Sequence, residues 1–150
     1  MCRLVVWTIA VSLGLGSVSP IAAGTVRGRV EMLEKKGKKA RDLSEGVVWV
    51  QGPEVTPEPT TATITMAMKR FEPHLVVVPV GGKVSFPNMD PILHNAFSVS
   101  GENRFDLDLY KKPKSRSHTV EHPGVVRVFC NIHPQMSAYV VVRDNPVWAQ

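Results

Sequence analysis

Cysteine is scarce in this chain of 150 residues, which contains only Cys2 and Cys130. A c-type haem requires the motif Cys-x-x-Cys-His, and this class of haem site is excluded because Asn131 and Ile132 follow Cys130. Beyond the N-terminal region, no segment of about ten or more residues shows helical periodicity. Internal repeats and low-complexity tracts are also lacking. These absences exclude helical bundles and repeat architectures.

The N-terminal region has the layout of a secretory signal peptide. Arg3 precedes an apolar stretch that begins at Leu4 and ends near Leu15, and small residues lie just before Gly24. The apolar stretch is too short for a comfortable membrane span. We therefore predict a signal peptide over residues 1–23, cleaved near Ala23, and a periplasmic or secreted mature chain. An uncleaved membrane anchor is the alternative.

The mature chain consists of short β-strand patterns separated by turn residues. Alternating or continuous apolar segments occupy residues 25–33, 46–52, 61–68, 75–78, 83–86, 95–99, 117–121, 125–129 and 138–143. The Pro79–Gly82 connection has the sequence of a hairpin turn. About eight strands at regular spacing predict an all-β, antiparallel sandwich or barrel. The segment before the proline-rich stretch at 53–59 is too small to fold alone, so we predict one domain over residues 24–150.

Two short segments contain the residue types that bind copper. Cys130, His133 and Met136 follow one another at three-residue steps, and His94 ends an apolar stretch upstream. Two histidines and a cysteine in one plane, with a weak axial methionine, are the ligands of a blue-copper site. Sulfur ligands suit Cu(I), and imidazole suits both oxidation states. The pattern predicts one copper ion, cycling between Cu(I) and Cu(II), held by these four residues for electron transfer.

Zinc binding and thiol catalysis fit the motif less well. Structural zinc normally takes four Cys or His ligands and does not recruit methionine. A cysteine nucleophile and its histidine base are rarely sequence neighbours. After signal cleavage Cys130 is the sole thiol, and an unpaired thiol in an oxidising compartment is explained by metal binding. His74, His118 and His122 have no partner at ligand spacing and are predicted to be surface or loop residues.

The surroundings of the predicted site suggest how electrons leave it. Pro134 restricts the loop beside His133 and removes an amide donor. We predict that an apolar rim formed by Met89, Pro91, Ile92 and Pro134 leaves the His133 edge as the point of electron exit.

Positive charge is in excess, with 18 Lys and Arg against 13 Asp and Glu. Lysines cluster in two runs: Lys35, Lys36, Lys38 and Lys39, and then Lys111, Lys112 and Lys114. No stacking aromatics are interleaved with them, which argues against nucleic acid. They are either solvated loops or a surface that steers an acidic redox protein towards the site.

The segments Val84–Asn88, His94–Asn95 and Gly124–Cys130, with His133 and Met136, resemble the cupredoxins, in particular plastocyanin and amicyanin. The resemblance implies a single-domain Greek-key β-sandwich and the same four ligands. It also implies that Asn95 ties the two ligand loops together by hydrogen bonding. The loops around residues 34–41 and 100–116 have no counterpart.

Ile132 departs from that family pattern, because plastocyanin and amicyanin have proline at this position. The amide N–H that Ile132 retains is expected to donate a hydrogen bond to the sulfur of Cys130 and to raise the reduction potential.

Three functions remain open from the sequence. The first is a one-electron carrier, which is not an enzyme. The second is a copper-delivery protein that uses the same ligands; it would favour exposed Met and His clusters. The third is a copper oxidase or reductase domain, which needs a second open metal site. No additional cluster such as His-x-His is present in the sequence.

Overall fold

The computed structural model describes residues 27–31, 33, 37–40, 43–50 and 57–150. The chain divides into two compact units, residues 1–39 and 40–150. The predicted signal peptide lies outside the described residues. Among the residues described, no helix is long and apolar enough to cross a membrane.

In the first unit, Leu33 forms an isolated antiparallel bridge with Lys39, and Lys39 Nζ donates to Glu31 Oε1 at 2.8 Å. Residues 27–31 are not in a strand. The predicted strand over 25–33 is therefore wrong for its described residues. Val30 and Leu33 are 53% and 60% exposed, so the alternating apolar side chains have no core to face.

The described part of the second unit contains strands and turns and no helix. The strands are β1 (Val48–Trp49), β2 (Thr61–Thr63), β3 (Thr65–Ala67), β4 (Arg70–Glu72), β5 (Leu75–Pro79), β6 (Lys83–Pro87), β7 (Phe97–Ser98), β8 (Phe105–Asp106), β9 (Ser115–Thr119), β10 (Gly124–Phe129), β11 (Ser137–Arg143) and β12 (Trp148–Ala149). They form a five-stranded sheet in the order β5-β11-β10-β7-β8, a three-stranded sheet in the order β2-β6-β9, and two small pairs, β3-β4 and β1-β12.

The core lies between the two larger sheets. Val126 and Val128 of β10 and Val140 of β11 are buried in the same apolar cluster as Val84 and Phe86 of β6. Their neighbours Val125 and Arg127 are exposed, as the period-two geometry of a strand requires. The predicted all-β sandwich is confirmed, and the structure resolves it into more and shorter strands than the sequence indicates.

The direction of pairing between neighbouring strands differs in part from the prediction. Most pairs are antiparallel as predicted, but β5 pairs with β11, and β2 with β6, in parallel. Period-two alternation reveals which side chains face the core and carries no information about the direction of the neighbouring strand. The predicted strand over 61–68 is also divided, because β2 joins the β6 sheet while β3 pairs with β4.

The predicted hairpin at Pro79–Gly82 is wrong, because β5 and β6 belong to different sheets. The turn itself is tight: the Gly82 amide donates to Pro79 O at 2.9 Å. A Cβ at Gly82 would lie 2.7 Å from that carbonyl oxygen, and Gly81 has a φ of +79°. These two glycines let the chain pass abruptly from one sheet to the other.

Candidate metal centre

Two loops at strand ends carry the four candidate ligands. The loop after β6 leads to His94, and the loop between β10 and β11 carries Cys130, His133 and Met136. Phe129, the last residue of β10, pairs with Phe97 of β7 and with Ser137 of β11. Both loops are therefore anchored on paired strands, which give a metal site the positional precision that it needs.

The side chains of His94, Cys130 and His133 meet at one point. The two Nδ1 atoms are 3.0 Å apart, and Cys130 Sγ lies 3.9 Å from Nδ1 of His94 and 3.8 Å from Nδ1 of His133. His94 and Cys130 are buried, whereas His133 is half-buried. Of the described His, Cys, Asp and Glu side chains, these three form the one group that could hold a metal ion.

The dimensions of this triangle suit a single transition-metal ion. Metal–nitrogen bonds of about 2.0 Å and a metal–sulfur bond of about 2.3 Å in one trigonal plane would separate the nitrogens by about 3.5 Å, and each nitrogen from the sulfur by about 3.7 Å. The observed sulfur–nitrogen distances lie close to these values. The nitrogen–nitrogen distance is shorter, so the two rings would move slightly apart around an ion.

Met136 lies in the same loop as Cys130 and His133 and is the candidate axial ligand. It is 1% exposed and belongs to the same apolar cluster as Cys130. Its amide donates to His133 O at 2.9 Å, which folds the loop back on itself after the second histidine. Two imidazoles, a thiol and a thioether form a soft donor set that favours copper over hard, oxygen-seeking ions.

Asp90 determines which nitrogen of His94 faces the cluster. Its Oδ2 lies 2.8 Å from His94 Nε2. Burial raises the pKa of Asp90, but the amides of Lys69 and Met68 and the His94 ring outweigh it and hold the pKa below its ordinary value. An ionised carboxylate only accepts hydrogen bonds, so Nε2 carries the proton and Nδ1 presents its lone pair to the cluster.

The pKa of His133 lies below its ordinary value. Burial lowers it, and His94 and the positive charge of Lys69 lower it further, against the opposing charge of Asp90. A neutral imidazole is the form that binds metals. The lowered pKa of His133 therefore favours the metal-binding form of this ring.

Asn95 links the two ligand loops. Its Oδ1 accepts a hydrogen bond from the Asn131 amide at 2.8 Å, and its Nδ2 donates to Asp106 Oδ1 at 3.0 Å. The Asn131 amide directly follows Cys130, so this contact sets the position of the cysteine relative to His94.

Asn88 shapes the loop that carries His94, a role that the sequence pattern alone does not indicate. Its Nδ2 donates to Ile92 O at 3.0 Å and to Tyr110 O at 2.8 Å, and its Oδ1 accepts from the Asp90 amide at 2.8 Å. The bond to Asp90 is an Asx turn, for which an Asn two residues before the donor amide is the sequence signal. The contact with Tyr110 has no such local signal.

Several apolar residues of the two ligand loops are exposed. Met89, Pro91, Ile92 and Pro134, which are predicted to form the rim, are all exposed. Ile132 and Met68 are exposed as well, at 47% and 75%. The hydrogen bond expected from the Ile132 amide to Cys130 Sγ is not among those of the described residues, and it stays a prediction. The exposed side chain of Ile132 adds to the apolar surface.

The three remaining histidines do not join the cluster. His74 pairs with Glu45 and packs edge-on against Tyr139, His118 stacks on Phe105, and His122 lies 3.4 Å from Glu102. Burial lowers the pKa of His118 despite the nearby charge of Glu121. These positions agree with the prediction that none of the three is a ligand.

Comparison with solved structures relates this arrangement to known copper proteins. A reduced tryptophan-to-tyrosine variant of amicyanin is 28% identical, with a TM-score of 0.52, over 55% of this chain and 82% of that protein. A methionine-to-glutamine variant of amicyanin with Cu(I) is 27% identical, with a TM-score of 0.52 and the same coverage of the two chains. No family model matches the chain, and no curated sequence does either.

A copper-containing nitrite reductase from Thermus scotoductus SA-01 also matches. It is 25% identical, with a TM-score of 0.53, over 67% of this chain. The matched region covers only 26% of the reductase. The chain resembles the cupredoxins in sequence and has their β-sandwich fold, and its candidate ligands are positioned to hold one metal ion.

Proposed function

We propose that this chain, a protein of cupredoxin fold, binds one copper ion and carries single electrons between redox partners. His94, Cys130 and His133 would be the equatorial ligands, and Met136 the weak axial one. The observation that carries the proposal is the convergence of two Nδ1 atoms and one Sγ beside a buried methionine. The similarity of the chain to amicyanin supports the same function.

Each residue has a definite task in this proposal. Bound copper would supply the one-electron couple between Cu(II) and Cu(I). Cys130 provides a thiolate and the two histidines provide neutral imidazoles, so binding releases protons to solvent. Asp90 and Asn95 hold His94 and the cysteine loop in place, and the apolar surroundings of Cys130 exclude water from the sulfur. A fixed cage lets the oxidation state change with little rearrangement.

Burial of the ligands favours a carrier over a copper-delivery protein. His94, Cys130 and Met136 are 0%, 4% and 1% exposed. A delivery site needs ligands that a partner can reach and exchange, and only His133 is accessible here. A non-enzymatic role is part of the same proposal.

The proposed function is tested by loading the protein with Cu(II). We expect one copper ion per chain and an intense visible absorption from thiolate-to-copper charge transfer, which disappears on reduction with one electron per protein. The measurement is a titration followed by absorption and by metal analysis. Stoichiometric binding without an intense visible band would contradict a blue-copper carrier and favour a storage or delivery role.

We propose that electrons pass through the His133 edge to an acidic redox protein. His133 is the accessible ligand, and the exposed residues Met89, Pro91, Ile92 and Pro134 would form an apolar rim around it. The basic segment that contains Lys111, Lys112 and Lys114 is joined to the loop before His94: the Asn88 amide donates to Lys114 O at 3.0 Å, and the Lys112 amide to Asp90 O at 3.4 Å. All three lysines are exposed.

The lysine run over residues 35–39 gives less support to the docking of an acidic partner. Lys35 and Lys36 lie outside the described residues, and Lys38 and Lys39 belong to the first unit. Export to the periplasm or to the outside, after cleavage near Ala23, is part of the same proposal and rests on the N-terminal sequence.

Steering by the 111–114 segment predicts salt-dependent electron transfer. Lys112→Glu should slow association with an acidic redox protein about tenfold at low ionic strength, and the difference should vanish as salt screens the charges. Stopped-flow rates at low and high salt measure this. Lys83→Glu, at the end of β6 opposite to the loop that carries His94, is the matched control. Equal rates for the two variants at low salt would show that the segment does not steer.

A further inference from the structure

The turn between β3 and β4 has an unusual backbone. Ala67 and Arg70 are paired, so Met68 and Lys69 are the two central residues of a tight hairpin, and their φ angles are +51° and +56°. Such turns normally contain Asn-Gly or Gly-Gly, because residues other than Gly, Asn and Asp are strained at positive φ. Something outside the hairpin must hold these two residues in place.

The side chain of Asp90 supplies that support. Its Oδ1 accepts a hydrogen bond from the Met68 amide at 2.8 Å, and its Oδ2 accepts one from the Lys69 amide at 2.9 Å. The same Oδ2 accepts the Nε2–H of His94 at 2.8 Å. One carboxylate therefore binds both strained amides and a candidate copper ligand.

Asp90 is itself held from the other side. Its amide donates to Asn88 Oδ1 at 2.8 Å, and Asn88 is fully buried. The carboxylate thus projects from a fixed backbone, and the groove beside it is lined by Met68, Lys69, Pro91 and Ile92.

We infer that Asp90 is a positioning residue that couples the β3–β4 turn to the copper ligand His94, an inference that rests on the proposed function. The carboxylate keeps the proton of His94 on Nε2 and fixes the ring plane. It also holds Met68 and Lys69 in the turn beside His94 through their amides. The turn, the metal ligand and the docking edge then move as one unit.

Removal of the carboxylate tests this coupling. Asp90→Ala should weaken copper binding about 10- to 100-fold, the usual effect of losing the partner of a metal-bound histidine. It should also raise the reduction potential, because His94 loses electron density from the carboxylate. Affinity is measured by chelator competition and the potential by redox titration. Asp144→Ala, which removes one carboxylate that contacts Arg143, is the matched control and should leave both unchanged.

A second set of substitutions separates the two roles of Asp90. Glycine adopts positive φ without strain, so replacing both Met68 and Lys69 by glycine in the Asp90→Ala background should relieve the strain that the lost carboxylate leaves in the turn. Copper affinity should remain low, because His94 still lacks its partner. Recovery of full affinity in this combined variant would overturn the inference, since Asp90 would then act only through the turn. Unchanged affinity and potential in Asp90→Ala would overturn it as well.

A metal-free measurement keeps this test independent of the proposed function. In the wild-type protein without metal, nitrogen NMR of His94 should show the proton on Nε2, and Asp90→Ala should lose that preference. A proton on Nδ1 in the wild type would overturn the inference even if copper binds. If the wild type binds no copper while Nε2 is protonated, the proposed function fails and the positioning of His94 by Asp90 stands.

Discussion

Replacing Cys130 by serine is expected to abolish the intense visible band of the copper-loaded protein. A serine hydroxyl keeps its proton near neutral pH and has no sulfur orbitals to donate charge, whereas the thiolate is both a soft ligand and the source of the transition. Affinity for Cu(I) should fall most, since the soft equatorial sulfur is lost. Absorption spectra and Cu(I) chelator competition, compared with the wild type, measure the two effects.

Met136→Gln is the matched control for this variant. It changes the other sulfur ligand, which is buried in the same cluster. Because the axial contact is weak and tunes the potential, the glutamine variant should retain copper and a visible band while its reduction potential falls. Cys130→Ser with the band intact would remove Cys130 from the ligand set. Complete loss of copper from Met136→Gln would make Met136 a primary ligand and contradict its axial role.

Burying a hydroxyl in place of the Cys130 thiol also affects folding. Cys130 is 4% exposed, and its Sγ contacts the imidazoles of His94 and His133. A serine Oγ can form a hydrogen bond with either ring, so the metal-free variant should lose no more than about 1–3 kcal/mol of unfolding free energy. It therefore remains folded, and loss of the band reports on the metal and not on the fold.

The candidate ligands could be predicted from the sequence because the residue type alone determines which donor atom each side chain offers to a metal. Cys130, His133 and Met136 lie in one loop, so their spacing alone brought them together. Strand β10 was recognisable because Val126 and Val128 alternate with exposed residues, and β11 because it contains a continuous run of valines. The direction of strand pairing could not be recognised, and neither could the passage of Pro79–Gly82 from one sheet to the other. Both depend on partners that are distant in the sequence.

The support of the site could not be predicted for the same reason. Asp90 binds the amides of Met68 and Lys69, which lie 22 and 21 residues before it, and Asn88 binds the carbonyl of Tyr110, 22 residues after it. Nothing local in the sequence marks these contacts. Tyr110 in turn donates its hydroxyl to Phe86 O at 2.6 Å, and burial raises the pKa of the phenol, which favours its protonated, donating form.

The buried amide of Asn88 makes the loop before His94 dependent on a single side chain. It satisfies three backbone groups, Ile92 O, Tyr110 O and the Asp90 amide, and it is 0% exposed. Its own backbone amide donates to Lys114 O, a contact that any residue other than proline would preserve. A substitution here removes the side-chain bonds while leaving the backbone contact intact.

Asn88→Leu is therefore expected to lower the free energy of unfolding by about 3–5 kcal/mol, because three buried or half-buried backbone groups lose their partners and leucine supplies none. Since the loop carries both Asp90 and His94, copper affinity should fall together with stability. Urea unfolding of the metal-free protein and chelator competition measure the two. Asn131→Leu, at an exposed position beside Cys130, is the control and should change stability by less than about 0.5 kcal/mol. If Asn88→Leu is as stable as that control, water forms hydrogen bonds with the three backbone groups and Asn88 does not hold the loop. If stability falls while copper affinity stays at the wild-type value, His94 is positioned independently of the loop that precedes it.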